Sequence, residues 1–448
     1  MARSFRSLML GTLAAFLAVT SLTGQAAAQP YPEPMRKLPN ANDYVLTWDN
    51  SDASGTPYTD LVRDLRGALG FGAAEYTNPA EFLAAATKRA TRNCPQANQN
   101  AGALSRNSAR VVTQNWFCLE REDATVRNNL NEPRWVTQGI SGTWDSHPQG
   151  TVDGTRAFAL SWHYTTSAEK NNAARITLLG EDAPYRYDHA LLVEPRRTGN
   201  NVTYGNMHIH AGGLVWYKQY LLATDDDTGI YVFDMHNLLD MRGRPNANTT
   251  NDNRIGRESN GIYYTGGYRF ILPLIGVWRS QASQEEKCRA EAVPPCYTYV
   301  GLDRSTNPPT ILTGEWCPAT SARCTVGRVA RWNMRPDSAA CVRGCLQFSG
   351  NRAQAVEAYT QVHNSMQGGV SWRNVYQFTR SNNPTSLGRR YQAVPGQTPT
   401  PHFAGKGVQD LYWQRSATNG QPVLLWSVTE YPGEGDNRGK RVLYGVTP

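Results

Sequence analysis

Gln367-Gly368-Gly369-Val370-Ser371-Trp372 is the stretch from which the architecture is read. Four others vary the same phrase: Thr137-Gln138-Gly139-Ile140-Ser141, Ala211-Gly212-Gly213-Leu214-Val215-Trp216, Tyr299-Val300-Gly301-Leu302-Asp303 and Val408-Gln409-Asp410-Leu411-Tyr412-Trp413. Each opens a segment of strand-like sequence. A recurring unit of this kind predicts a radial array of small antiparallel sheets, an all-β fold organised as a five-bladed β-propeller. The innermost strand of each blade would line a central channel, and glycine suits the positions where backbones crowd the axis. Gln138, His210, Gln367 and Gln409 are thereby expected around one opening.

Working outward, blade one is expected over Val136–Ser141, Ala157–His163, Ala174–Leu179 and His189–Val193. Blade two starts at His210 and holds Tyr220–Thr224 and Gly229–Phe233, joined by the turn-rich Asp225-Asp226-Asp227-Thr228. Blades three, four and five start at Tyr297, Gln367 and Gln409. The openings are widely spaced, which implies sizeable loops, and loops on a rigid scaffold are where binding concentrates.

Residues 29–134 read differently. A Pro-rich start is followed by an edge strand over Asp43–Trp48 and by helical spacing over Tyr58–Leu69 and Pro79–Arg92, with Asn78-Pro79-Ala80-Glu81 as a helix start. This predicts a small helical N-terminal appendage on a propeller spanning 135–448. Before it, Arg3 and Arg6, an apolar run from Leu8 to Leu22 and Ala26-Ala27-Ala28 form a secretory signal peptide over residues 1–28. The expected product is secreted, extracellular, monomeric and without a membrane span.

Eight cysteines fall in close pairs: Cys94 with Cys118, Cys288 with Cys296, Cys317 with Cys324 and Cys341 with Cys345. Local disulfides are expected in an oxidising compartment. The competing reading is a zinc site from Cys317, Cys324, Cys341 and Cys345, although no Cys-x-x-Cys pair is present. The formal charge of +8 comes from scattered residues without a basic run, so a nucleic-acid partner is not supported.

The run Tyr187-Asp188-His189-Ala190-Leu191-Leu192-Val193-Glu194-Pro195 is followed by His208-Ile209-His210-Ala211-Gly212-Gly213-Leu214-Val215-Trp216-Tyr217 and Thr228-Gly229-Ile230-Tyr231-Val232-Phe233-Asp234. Together with Gly407-Val408-Gln409-Asp410-Leu411-Tyr412 and Leu425-Trp426-Ser427-Val428-Thr429-Glu430-Tyr431-Pro432-Gly433, it resembles an uncharacterised family of secreted bacterial propeller-like proteins. The resemblance covers about residues 135 to 448 and implies the propeller but no activity. Members of that family tend to carry Glu where Gln409 stands.

Three constellations carry candidate chemistry. His208 and His210, two apart on extended sequence, would face the same way. With His189 and with Gln138 or Gln367 they form a candidate site for a divalent metal, of the His and Gln type used by propeller lyases that act on uronic-acid polymers; the alternative is that His210 hydrogen-bonds channel backbone. Carboxylates on inner strands are the second constellation, as in propeller glycosidases, with Asp303, Glu315, Asp410 and Glu430 as candidates. Asp410 stands where sister repeats have glycine, which makes it the leading catalytic candidate beside His210 and His189. Asp225-Asp226-Asp227 is the third, a calcium site or a solvated hairpin tip.

Trp144, Trp216, Tyr217, Trp372 and Trp413 lie beside the openings; Trp216 is a candidate sugar platform, with packing between blades as the alternative. No Gly-x-Ser-x-Gly turn, phosphate loop or His-Glu-x-x-His motif is present. The functional expectation is an extracellular glycan bound at the channel mouth, with a polysaccharide lyase or glycoside hydrolase, or a protein-interaction propeller, as the alternatives.

Overall fold

The computed structural model describes residues 32–72, 74–98, 102–125, 134–165, 173–226, 228–280, 296–318, 326–432 and 440–448. The expected signal peptide lies outside them. The chain is all-β with few helices, and its strands follow one another as antiparallel meanders.

Trp135–Gly142, Ala157–Tyr164, Ala174–Gly180 and Arg186–Thr198 pair in sequence order. So do Leu214–Tyr217, Tyr220–Asp225, Gly229–Asp234 and Phe270–Ser280. Tyr299–Asp303, Thr310–Gly314, Arg328–Asn333 and Arg352–Thr360 repeat the pattern. Met366–Trp372, Val375–Arg380, Gly388–Ala393 and Thr400–Ala404 repeat it again. Val408–Arg415, Pro422–Thr429 and Val442–Val446 form the last run, and Asn115–Cys118 from the N-terminal segment supplies its next strand. The quoted repeats therefore open each meander. Turn chemistry helps to fix the register: Arg373 and Asn374, at φ 49° and 64°, make the two-residue link between Met366–Trp372 and Val375–Arg380.

Opening strands of successive meanders touch. A Cβ on Gly213 would lie 2.2 Å from Val300 N, and one on Gly301 would lie 2.2 Å from Gly369 O, so these two approaches admit only glycine. Hydrogen bonds continue the series. Trp216 N donates to Ser141 Oγ at 2.8 Å, Ser371 Oγ to Asp303 Oδ2 at 2.7 Å, and Trp413 Nε1 to Ser371 O at 3.2 Å. Thr137 Oγ1 donates to Thr429 O at 2.8 Å, which joins the first meander to the last.

The strand expected at the edge over Asp43–Trp48 is instead internal. Val45–Asp49 sits between Phe270–Ser280 and Arg352–Thr360, antiparallel to both. Phe270–Ser280 also runs parallel to Arg186–Thr198, so three meanders merge into one 16-stranded sheet. Both pairings join residues far apart in sequence, which local alternation does not reveal.

The Tyr58–Ala68 helix buries Leu61, Val62 and Leu65 on one face, and it packs on Arg186–Thr198 and Phe270–Ser280. Asn78 caps the second helix: its Oδ1 accepts from Glu81 N at 2.9 Å, and Glu81 Oε2 accepts from Asn78 N at 3.1 Å. That helix ends at Ala85 rather than Arg92, because Lys88–Arg89 and Thr91–Arg92 pair with strands as extended chain. Cys94 is bonded to Cys118 and Cys341 to Cys345, and Cys296 and Cys317 are disulfide-bonded as well. Cys288 and Cys324 lie outside the described residues. The oxidised state of Cys317, Cys341 and Cys345 removes the four-thiolate zinc reading.

Candidate functional site

The site assembles where the opening strands begin. Gln138 is on Trp135–Gly142, His210 precedes Leu214–Tyr217, and Gln409 is on Val408–Arg415. Antiparallel pairing adds two side chains. Val136 pairs with His163, and Val408 pairs with Thr429, which puts Glu430 one residue beyond the end of the Pro422–Thr429 strand.

His210 is the hub. Its Nε2 lies 2.9 Å from Gln138 Oε1, its Nδ1 lies 3.9 Å from Asp226 Oδ1, and its backbone N donates to Asp225 Oδ1 at 2.9 Å. The His163 ring meets the His210 ring edge-on at 4.5 Å. Burial, helped by His210, pushes the His163 imidazole down to about 3, so it is neutral at physiological pH. Gln409 Nε2 donates to Glu430 Oε2 at 2.8 Å. Burial raises the Glu430 carboxyl above its usual range against the charges of Arg441 and His210. Arg441 is held by Trp135 O at 3.1 Å, and burial lowers its guanidinium to about 10.

Two buried acceptors here have no donor in the protein, Gln409 Oε1 and Asp226 Oδ1. Such atoms are expensive to leave unpaired, and they mark where a ligand's hydroxyl groups would be stabilised.

The other candidates are placed as follows. Gln367 is half-buried on Met366–Trp372, and His208 is exposed. His189 is buried elsewhere: its Nε2 lies 2.9 Å from Asp123 Oδ1 and its Nδ1 2.7 Å from Thr177 Oγ1. Among the described residues no three His, Cys, Asp or Glu side chains form a group able to hold a metal ion, so His189, His208 and His210 are not brought together as one. Trp216 is buried toward the far end of its strand from His210, and Trp413 is packed between sheets. Asp225 is buried and folded inward rather than solvated, and Asp227 lies outside the described residues.

Three of the four candidate carboxylates are occupied by the fold. Asp303 pairs with Arg331 at 3.1 Å, and Glu315 accepts from Arg328 Nε and NH2 at 3.0 Å each. Asp410 Oδ2 accepts from Leu214 N at 2.9 Å and Ile140 N at 3.2 Å, tying three opening strands together. Burial raises its carboxyl well above the ordinary range despite those donors, which favours its protonated form. We expect Asp410→Ala, which strands both amides, to lose about 2–4 kcal/mol in urea denaturation. Asp410→Asn, which preserves a neutral acceptor, should lose less than about 1 kcal/mol at pH 7. Because ionisation opposes folding, the Asn variant should gain on the wild type as pH rises. Equal losses in both variants would contradict the raised Asp410 carboxyl.

No known protein family and no curated protein matches the sequence. Among solved structures, the chain is similar to the crystal structure of a GH43_1 enzyme from Xanthomonas citri, with 7% identity and a TM-score of 0.30, over 70% of this chain and 87% of that one. It is also similar to the computationally designed Ika8 protein, with 8% identity and a TM-score of 0.23, over 70% of this chain and 97% of that one.

Proposed function

We propose that the protein is a secreted five-bladed propeller that binds extracellular carbohydrate at the end of its channel where the opening strands begin. The blade assignment is supported by the meanders and by the succession of contacts between their first strands. Disulfides agree with an extracellular setting.

The observation that carries the ligand class is the polar set around His210: Gln138, Asp226, Gln409 and Glu430, with the unpaired acceptors Gln409 Oε1 and Asp226 Oδ1. A sugar hydroxyl donates and accepts at once, so it satisfies such a set better than a purely anionic or apolar ligand.

The test is a glycan array followed by calorimetry on the best binder. Wild-type protein should bind, and His210→Ala and Gln138→Ala should each weaken the affinity about ten-fold, the loss of one hydrogen bond to a buried partner. No bound glycan, or binding unchanged in both variants, overturns the proposal.

A second reading is favoured by one observation, that two carboxyl groups flank His210: Asp226, whose Oδ1 lies 3.9 Å from its Nδ1, and Glu430, whose carboxyl burial raises above its usual range against the lowering effect of the His210 charge. An acid and a second carboxylate around one polar opening suit glycosidic hydrolysis.

A further inference from the structure

A cavity of about 600 Å³ opens at the other end of the Leu214–Tyr217 strand from His210. Four segments and Asp337 build it: Tyr76–Pro79 of the N-terminal region, the loop after the first opening strand from Ser146 to Asp153, Trp216–Gln219, and Met235–His236. Its volume falls within the range of small-molecule sites, about 300–1,000 Å³.

Its chemistry is selective. Trp216 lines it, fully buried, and the indole Nε1–H has no acceptor in the protein. A buried indole N–H ordinarily finds a partner. Tyr76 and His236 supply aromatic surface, their ring centres 4.6 Å apart, and the Tyr76 hydroxyl engages Asp153.

Two charges at the rim are already used. The Lys218 ammonium donates to Pro336 O at 3.0 Å and Ala339 O at 2.7 Å, and Asp337 Oδ2 pairs with Arg304 NH1 at 2.7 Å. What remains is ring faces, one buried donor and few uncompensated charges.

We infer that this cavity is a second carbohydrate subsite, distinct from the channel mouth, that takes a neutral mono- or disaccharide. A pyranose has apolar C–H faces for Tyr76 and His236 and hydroxyl oxygens that accept from the indole. An anionic sugar would find Lys218 engaged and Asp153 and Asp337 opposed to it. The inference stands on the cavity alone and survives if the mouth binds nothing.

The test is titration of the full mature protein with cellobiose, xylobiose and maltose, followed by calorimetry. One of the three should bind saturably. Tyr76→Ala should weaken it about ten-fold or more and Trp216→Phe, which keeps the bulk and removes the N–H, about five- to ten-fold. His210→Ala should leave it unchanged, and melting temperatures confirm that the variants are folded. Absence of saturable binding up to about 10 mM, a Kd weaker than that of a useful subsite, overturns the inference. So does binding that persists in folded Tyr76→Ala, or that disappears in His210→Ala, which would assign the sugar to the mouth.

Discussion

Replacing Asp123 by Ala should cost about 3–5 kcal/mol of stability, because it leaves several buried groups without their common partner. Asp123 stands in the short turn Arg121–Ala124, just before the first meander. Its side chain accepts from the Tyr187 hydroxyl, lies 2.9 Å from His189 Nε2, and lies 2.9 Å from Lys88 Nζ. Its carbonyl accepts from Arg175. The hydrogen bonds run in one direction. Trp162 Nε1 donates to Thr177 Oγ1 at 2.8 Å, the Thr177 hydroxyl faces His189 Nδ1 at 2.7 Å, and His189 Nε2 points at Asp123.

A neutral imidazole completes that chain, and burial, with the Arg175 charge, holds His189 below its ordinary pKa. Burial works against an ionised Asp123, but its interactions with His189 and the charges of Lys88 and Arg175 outweigh it and keep the carboxyl well below the usual carboxylate range. The sign for stability follows. A depressed carboxyl contributes fully above its unfolded pKa of about 3.9, and the contribution is lost as pH falls through the lower folded value. Urea denaturation from neutral pH down to about pH 3 should therefore show the wild type losing stability and Asp123→Asn losing less across that acid range. Parallel acid profiles for the two proteins would remove the charge from the account.

The same cluster shows what the sequence reveals and what it hides. The first strands were legible because glycine beside an apolar run recurs, and crowding at Gly213 and Gly301 is the cause of that recurrence. The last strands were not. Phe270–Ser280 contains Pro273 and has neighbours on several sides, and Asn115–Cys118 reaches its partner Val442–Val446 from the far end of the chain. Pairings with such separations leave no local pattern.

Among the site residues, Gln138 and His210 were legible from their place beside the repeated glycines, and the structure joins them at 2.9 Å. Glu430 and His163 lie on or just beyond second strands, and only the pairings Val408 with Thr429 and Val136 with His163 bring them beside Gln409 and His210. Asp410 was singled out by its position, and the fold engages one of its carboxyl oxygens while Oδ1 has no hydrogen-bond partner. An inner strand is where a carboxylate meets converging backbone amides, and Ile140 and Leu214 claim its Oδ2. His189 is engaged in a similar way, since its ring is committed to Asp123 and Thr177 inside the first meander.

If the mouth cleaves the glycan it binds, Glu430→Gln should lower turnover about 10²–10⁴-fold while changing affinity only a few-fold. Glu430 is the candidate acid because burial raises its carboxyl above the usual range and Gln409 Nε2 fixes one carboxyl oxygen at 2.8 Å. In hydrolysis that proton passes to the leaving glycosidic oxygen as the bond to the anomeric carbon breaks. Water supplies the hydroxyl to that carbon and gives its proton to Asp226, whose Oδ1 has no hydrogen-bond donor and lies 3.9 Å from His210 Nδ1. The amide introduced by Glu430→Gln would keep the contact with Gln409 and lose only the transferable proton, so kcat falls and binding does not. The pH dependence has a definite sign. The active form is the protonated acid, so activity should decline with rising pH through a value above that of an ordinary glutamate, about 4.3, and removal of the Arg441 charge should move that decline higher still. A reducing-sugar assay on the glycan found by the array decides it: turnover equal in wild type and Glu430→Gln assigns the carboxyl to binding alone.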